Sequence, residues 1–529
     1  MKKAKVKKSL SGIMGAVLLL GLLTACGSAN APEVSTEPNA QAMAAEKVLH
    51  IGELWAIDGI DPVNQGTLVK EKALVTEVLC EANEKFELIP GLATEWTHTD
   101  DNTWVFTIRQ GVKFHDGTAM DAEAVAWSIN NALAVNPTLV TSTNISSVSA
   151  TGDYEVTIAT SKPNAELPEY MHLSGFGIIA AGTYDNSGNF VLPIGTGPYK
   201  VDTFNNSTGV LTVIKNNDYY GTKPSIDKVV ITGMTDPSTR ALALESGEID
   251  FTCDVPFNET DRLDALDKIR IEKYVTARTY CINLNCGDLF SDKKVRQAAS
   301  LAMDRETIAN DVLYGCGSVS KSMYTDNMAW DNTEIDGAAF DLEQAKKLMA
   351  EAGWSDSDGD GYLDKDGRVF EFTLITYTQR PGLPLIAEAL QAQLKELGMK
   401  VNVTTMDSSA ITEHIKSGKE WGMYLSGSAT CMAPSCVYFL ENKYYSSNIS
   451  AYGYSNAEMD SMIDKCKTEF DTAERYEISK QIQALAMDEL PVIYVCNYGV
   501  AYGFNEKVSN FKFNPTAHDY MWNVDIQIN

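Results

Sequence analysis

Residues 91–129, GLATEWTHTDDNTWVFTIRQGVKFHDGTAMDAEAVAWSI, constrain this chain more than any other stretch. Trp104, Phe106 and Ile108 alternate with Val105 and Thr107, the period-2 pattern of a strand with one buried face. Asp100-Asp101-Asn102 before it and His115-Asp116-Gly117 after it read as turns. Ala122, Val125, Ala126 and Ile129 then recur at helical spacing behind Asp121, which is placed to cap the helix. No base stands beside a nucleophile here, so the stretch reads as scaffold.

The same alternation of strand and helix signals runs on through the chain. Residues 47–54 read as a first strand, 69–80 as a helix and 226–231 as a buried β-branched strand. Residues 236–249 read as a helix closed by Gly247. Asp341 and Gln344 form a capping box for a helix ending at Gly353. Segments 370–376, 384–397 and 400–405 form a strand–helix–strand unit, with Pro384 near the helix start and Gly398 past its end. The fold class is therefore α/β, and 529 residues are too many for a single core.

Residues 1–25 read as an export leader. Five lysines (2, 3, 5, 7 and 8) precede an apolar core at 13–23 that is too short for a membrane span in the mature protein. The leader ends in Leu-Thr-Ala-Cys-Gly, which resembles a bacterial lipobox with Cys26 as the acylated residue. Residues 26–46 are rich in Ala, Ser, Pro and Glu and read as a flexible tether of roughly 25 Å. Without the leader lysines, 38 basic face 71 acidic side chains, a formal charge of −33. That excess argues against nucleic acid or an anionic bilayer as an electrostatic partner. Nine cysteines follow Cys26, with no CxxC and no zinc-type spacing. The count is odd, so they cannot all pair; the choice between disulfides and buried thiols stays open.

The segments LATEW, TWVFTIRQGVKFHDG and MDAEAVAWS resemble the signature of the large solute-binding proteins of ABC importers, the peptide and nickel class (family 5). The turn at Pro193–Tyr199 and the helix start at 290–298 extend the likeness. TDPSTRALALESGEID and TYTQRPGLPLIAEALQ look nickel-type. The resemblance implies a periplasmic-binding-protein-like two-lobe fold of the large class II type. Lobe I would comprise 47–92, 193–280 and 500–529, an extra domain 93–192, and lobe II 281–499. It implies a monomeric lipoprotein on the outer face of the cell membrane, facing the periplasm where an outer membrane exists. The partners implied are an ABC permease with its ATPase, and a small-molecule or peptide ligand. No cofactor is required. A ligand-sensing lipoprotein is the reading from another class. No GxSxG, HExxH or SxxK motif stands where a fold would use it, so no enzyme is expected.

The resemblance also places a ligand loop after residues 422–425. Here it carries no carboxylate between Glu420 and Glu441, which weakens a peptide reading because peptide ammonium groups need a counter-charge. The segments 130–144 and 170–180, where nickel-type relatives carry arginines, have none. Cys431, Met432 and Cys436, with His172 and its neighbour Ser174, are candidate contacts for a soft metal chelate or else packing residues; Trp55, Trp421 and Tyr424 are candidate walls. Asp356, Asp358, Asp360 and Asp364 follow calcium-loop spacing, but Gly367 stands where a bidentate Glu belongs, so a solvated turn is the alternative to a calcium site.

Overall fold

Two long strands organise the molecule. The computed structural model describes residues 46–529 apart from 326, 327, 338, 516–518 and 521; the leader, Cys26 and the tether up to residue 45 lie outside the described residues. Among the described residues, eleven strands form one sheet. They are β1 (Val48–Glu53), β2 (Tyr199–Asn205), β3 (Val210–Lys215), β4 (Lys228–Gly233), β5 (Phe251–Thr252), β6 (Ile269–Leu284), β7 (Ser318–Val319), β8 (Glu371–Thr376), β9 (Lys400–Thr405), β10 (Met423–Ala429) and β11 (Val492–Asn505). Their spatial order is β9-β8-β10-β6-β11-β5-β1-β4-β3-β2, with β7 pairing to β11.

The long antiparallel pair β6 and β11 joins two halves. Residues 269–275 of β6 pair with 499–505, next to the half built on β1. Residues 279–283 pair with 492–497, and 278–284 pair with β10, in the half built on β8. Between them the register slips: 276–278 bulge opposite Tyr498. A bulge of this kind locally breaks the ladder and re-aims side chains, and Arg278 sits on it. Gly499 lies beside the bulge, where a Cβ would overlap the Cys316 carbonyl oxygen.

Both halves bury apolar strand faces, with Leu49 and Ile51 of β1 and Leu374 and Ile375 of β8 fully enclosed. Each such side chain contributes on the order of 1.5–3 kcal/mol. A separate antiparallel sheet is formed by Ala93–Asp100, Thr103–Ile108, Glu155–Thr160 and Ile145–Gly152, in that order. The helix Ala122–Val135 packs on it, capped by Asp121 accepting from the Ala124 N–H, and buries Ala122, Val125, Ala126 and Ile129 as the periodicity predicts. The helices Leu342–Glu351 and Gly382–Glu396 likewise stand where their caps and prolines place them. None of the helices among the described residues is long and apolar enough to cross a membrane.

The helix expected over 69–80 is a correction. A short π-helix spans only Thr67–Lys72, Leu74 takes a positive φ of 53°, and a strand follows at Cys80–Ala82. Tertiary packing overrides the local pattern here. The turn containing Gly195 and Gly197 presses against the backbone of Leu74–Thr76, leaving no room for a Cβ or a further helical turn. Glu77 ties the same junction together, accepting from Thr196 (2.7 Å), Tyr219 (2.9 Å) and Tyr220 (2.8 Å).

Burial pushes the Glu77 carboxyl up to about 7, although the three hydroxyls pull the other way. A raised folded value means that stability is fullest below the ordinary value of 4.5 and is lost as pH rises to about 7. Glu77→Gln is therefore expected to raise the melting temperature at pH 8 and to flatten its decline between pH 5 and pH 7. Thermal melts across that range check it; an unchanged slope would remove Glu77 from the account.

Candidate ligand cleft

Two loops at the carboxyl ends of parallel strands face each other across the β6–β11 pair. Trp55 follows β1 on one side and Arg380 follows β8 on the other. In open α/β sheets, ligands bind at such strand ends. Here the loops enclose a cavity of about 280 Å³, lined by Glu53, Trp55, Gln65, Thr67, Lys72, Arg278, Arg380 and Asp519 among others.

The charges in this cavity are buried and interlocked. Asp519 accepts from Arg380 (2.5 Å) and Arg278 (3.3 Å) through one carboxylate oxygen, and from Trp55 (3.0 Å) and Lys72 (3.1 Å) through the other. Arg380 also reaches Asp254 and the Tyr498 hydroxyl, each at 3.3 Å, and lies over the rings of Trp55 (5.4 Å) and Tyr498 (5.2 Å). Arg278 donates to the Gly427 carbonyl at 2.9 Å. Lys72 donates to Glu53 at 2.6 Å, and Glu53 accepts from Tyr520 at 2.8 Å. Burial alone would raise the Asp519 carboxyl, but Arg380, Lys72 and Arg278 outweigh it and hold it well below the carboxylate range. Asp254 goes the other way: burial raises it more than Arg380 and Tyr498 lower it.

Buried ion pairs of this kind contribute little net stability, because desolvation offsets their attraction. What they provide is a fixed array of planar donors. Two guanidiniums and an indole N–H aimed at one spot form a carboxylate receptor, since a guanidinium matches a carboxylate in two parallel hydrogen bonds.

A second cavity, also about 280 Å³, shares Gln65 and Thr67 with the first and extends past Asn136, Ser174, Met432 and Asn442. Of the residues singled out in the sequence, Trp55 therefore lines the charged cavity, and Ser174 and Met432 line its extension. His172 lies elsewhere, buried with its Nδ1 3.3 Å from both Glu81 and the Cys80 carbonyl. The structure does not bring Cys431 or Cys436 to either cavity. Their loop docks on Glu166, a buried carboxylate that accepts from Arg475 (3.2 Å), the Cys436 N–H (3.2 Å), the Cys436 thiol (3.1 Å) and the Ser435 hydroxyl. The Cys431 thiol donates to the Ala433 carbonyl. Tyr424, half-buried on β10, packs against the main core.

All nine described cysteines are buried and unbridged. Asp356, Asp358 and Asp364 bring carboxylate oxygens within 4.8 Å of one another. The turn closes on its own hydrogen bonds: Asp356 accepts from the Gly359 and Gly361 N–H groups, Asp360 from Tyr362, and Asp364 from Ser357. It runs into a hairpin between Asp364–Lys365 and Arg368–Val369 where a calcium loop would lead into a helix.

The fold has known counterparts. Residues 87–451 match the model of bacterial extracellular solute-binding proteins, family 5 Middle, and the chain belongs to that family. It is 26% identical to the nickel-binding protein NikA of Staphylococcus aureus, over 96% of each chain. It is also 26% identical to the oligopeptide-binding protein AppA of Bacillus subtilis, over 98% of each. The crystal structure of S. aureus NikA in complex with Ni(L-His)2 has a TM-score of 0.79 and 25% identity, covering 91% of this chain and 100% of that one.

Proposed function

We propose that this protein captures a metal chelate bearing carboxylates, a nickel chelate foremost, outside the cell and hands it to an ABC permease. The observation that carries this reading is the convergence of Arg278, Arg380 and Trp55 on one cavity at the strand ends. The two guanidiniums take the chelator's carboxylates, and the Trp55 ring and indole N–H bound the pocket. No bond of the ligand is made or broken. The halves of the sheet act as lobes I (47–92, 193–280 and 500–529) and II (281–499), closing about the bulge at 276–278. The sheet of residues 93–160 belongs to an extra domain, 93–192. The similarity to S. aureus NikA, whose complex holds Ni(L-His)2, supports nickel as the metal.

Calorimetric titration with nickel and L-histidine tests the reading. One-to-one binding that needs both components is expected; binding of short peptides with no response to the chelate would overturn it. A short peptide is the second reading, favoured by the extension of the cleft past Ser174 and Met432. The leader and its Cys26 support a lipid anchor on the outer face of the cell membrane. Cys26→Ser is expected to abolish labelling by radioactive palmitate and to release the protein into the medium; retained labelling would contradict the anchor.

A further inference from the structure

Cys436 and Cys466 bring their sulfurs to 4.0 Å from each other, although they stand 30 residues apart in sequence. Both side chains are buried. Cys436 precedes the helix Tyr438–Tyr444, and Cys466 lies in the last turn of the helix Ala457–Thr468. The pair is held from three directions. The Cys436 N–H donates to Glu166 (3.2 Å), the Ser479 hydroxyl donates to the Cys436 carbonyl (3.0 Å), and the Cys466 thiol donates to the Arg475 carbonyl (3.5 Å). Sulfurs this close leave no room for an atom between them. A disulfide needs about 2.05 Å, so each sulfur has only about 1 Å to travel, within reach of a small side-chain rotation.

We infer that Cys436 and Cys466 close to a disulfide on meeting an external disulfide of the glutathione type, stapling the loop at 430–437 to the helix Ala457–Thr468. One cysteine thiolate attacks the external disulfide, forms a mixed disulfide and releases one small thiolate. The second cysteine thiolate attacks the protein sulfur of that mixed disulfide and releases the other. The two cysteines lose two electrons and two protons, and the external disulfide gains them as two thiols. Burial, with the Cys466 thiol and Glu166 beside it, pushes the Cys436 thiol well above its ordinary range, and a protonated thiol does not attack. Exchange therefore runs through opening of the loop, and the finished bond is shielded from reductants in the same way. Closure removes the S–H that Cys436 donates to Glu166 at 3.1 Å, but Glu166 keeps Arg475, the Cys436 N–H and the Ser435 hydroxyl. In return the bond restricts the unfolded chain. The stapled loop also carries Met432 to the extension of the cleft, so the bond fixes one wall of that extension. Neither the bond nor its test depends on the cargo.

The test incubates the full chain with oxidised glutathione in urea below the unfolding transition, then denatures it, alkylates free thiols and maps the peptides by mass spectrometry. Two of the nine described cysteines are expected to escape alkylation and to be recovered as one linked pair of peptides holding Cys436 and Cys466. Nine alkylated cysteines, glutathione adducts alone, or a link between other cysteines overturns the assignment. After removal of glutathione, the oxidised protein is expected to melt about 3 °C above the same protein kept reduced. That difference is expected to vanish in Cys466→Ala, which cannot form the bond. An equal gain in the variant, or no gain in the wild type, overturns the staple. If Cys466→Ala does not fold, the peptide map of the wild type alone decides.

Discussion

Replacing Arg380 by alanine is expected to weaken chelate binding by at least about 30-fold, the lower end of what truncating a buried, hydrogen-bonded charge costs. Arg380 is 3% exposed and is the only charged lining residue that the loop after β8 contributes to the cavity. Its removal leaves Asp254 and Asp519 short of a counter-charge, so the variant is also expected to melt at a lower temperature than the wild type. Arg380→Lys separates the two effects. A lysine keeps the charge and much of the stability, but it cannot make the paired guanidinium–carboxylate contact, so affinity is expected to stay low while the melting temperature recovers. Calorimetry and thermal melts on the two variants check this. Full affinity in Arg380→Lys would show that charge alone suffices.

The second large effect falls on folding. Gly499→Ala is expected to cost about 3 kcal/mol or more, the upper range for inserting a methyl group into a packed site. The added carbon would overlap a backbone carbonyl, that of Cys316, which cannot swing aside as a side-chain tip does. The change also falls next to the register slip between β6 and β11, so whatever shift relieves the overlap moves the junction of the two halves. Gly59→Ala is the control: its nearest neighbour is the Gln65 side chain at 3.8 Å, and it is expected to change little. Denaturant unfolding of both variants checks the contrast. Equal stabilities would mean that the β11 backbone moves away from residue 316 at little cost.

Much of the scaffold was legible from the residues, because its signals are local. Asp121 before Ala122, Asp341 before Leu342 and Gly247 after Ser246 each sit next to the element they start or stop. The helical spacing of 69–80 is overruled by a neighbour more than a hundred residues away, the turn at Gly195 and Gly197. The cleft was harder for the same reason. Lys72, Arg278, Arg380 and Asp519 have no shared spacing and meet only once the sheet is assembled. Arg380 had a usable signal, lying in the nickel-type segment TYTQRPGLPLIAEALQ; Arg278 reads locally as one more strand residue, and nothing around Asp519 marks it.

The absence of arginine in 130–144 and 170–180 weakens the simplest nickel reading, yet guanidiniums reach the cavity from β6 and from the loop after β8. Of the sulfur loop, Met432 lines the extension of the cleft, while Cys431 and Cys436 take the packing alternative, Cys436 against Glu166 from a distant part of the chain.

The central claim is that the arginine-lined cavity holds a carboxylate-bearing metal chelate. It is tested most directly by purifying the protein without denaturation from native cells and measuring metal content and organic ligand by mass spectrometry on the same sample. One metal ion per protein together with a carboxylate chelator, both lost in Arg380→Ala, is the predicted result. A bound peptide without metal would contradict it.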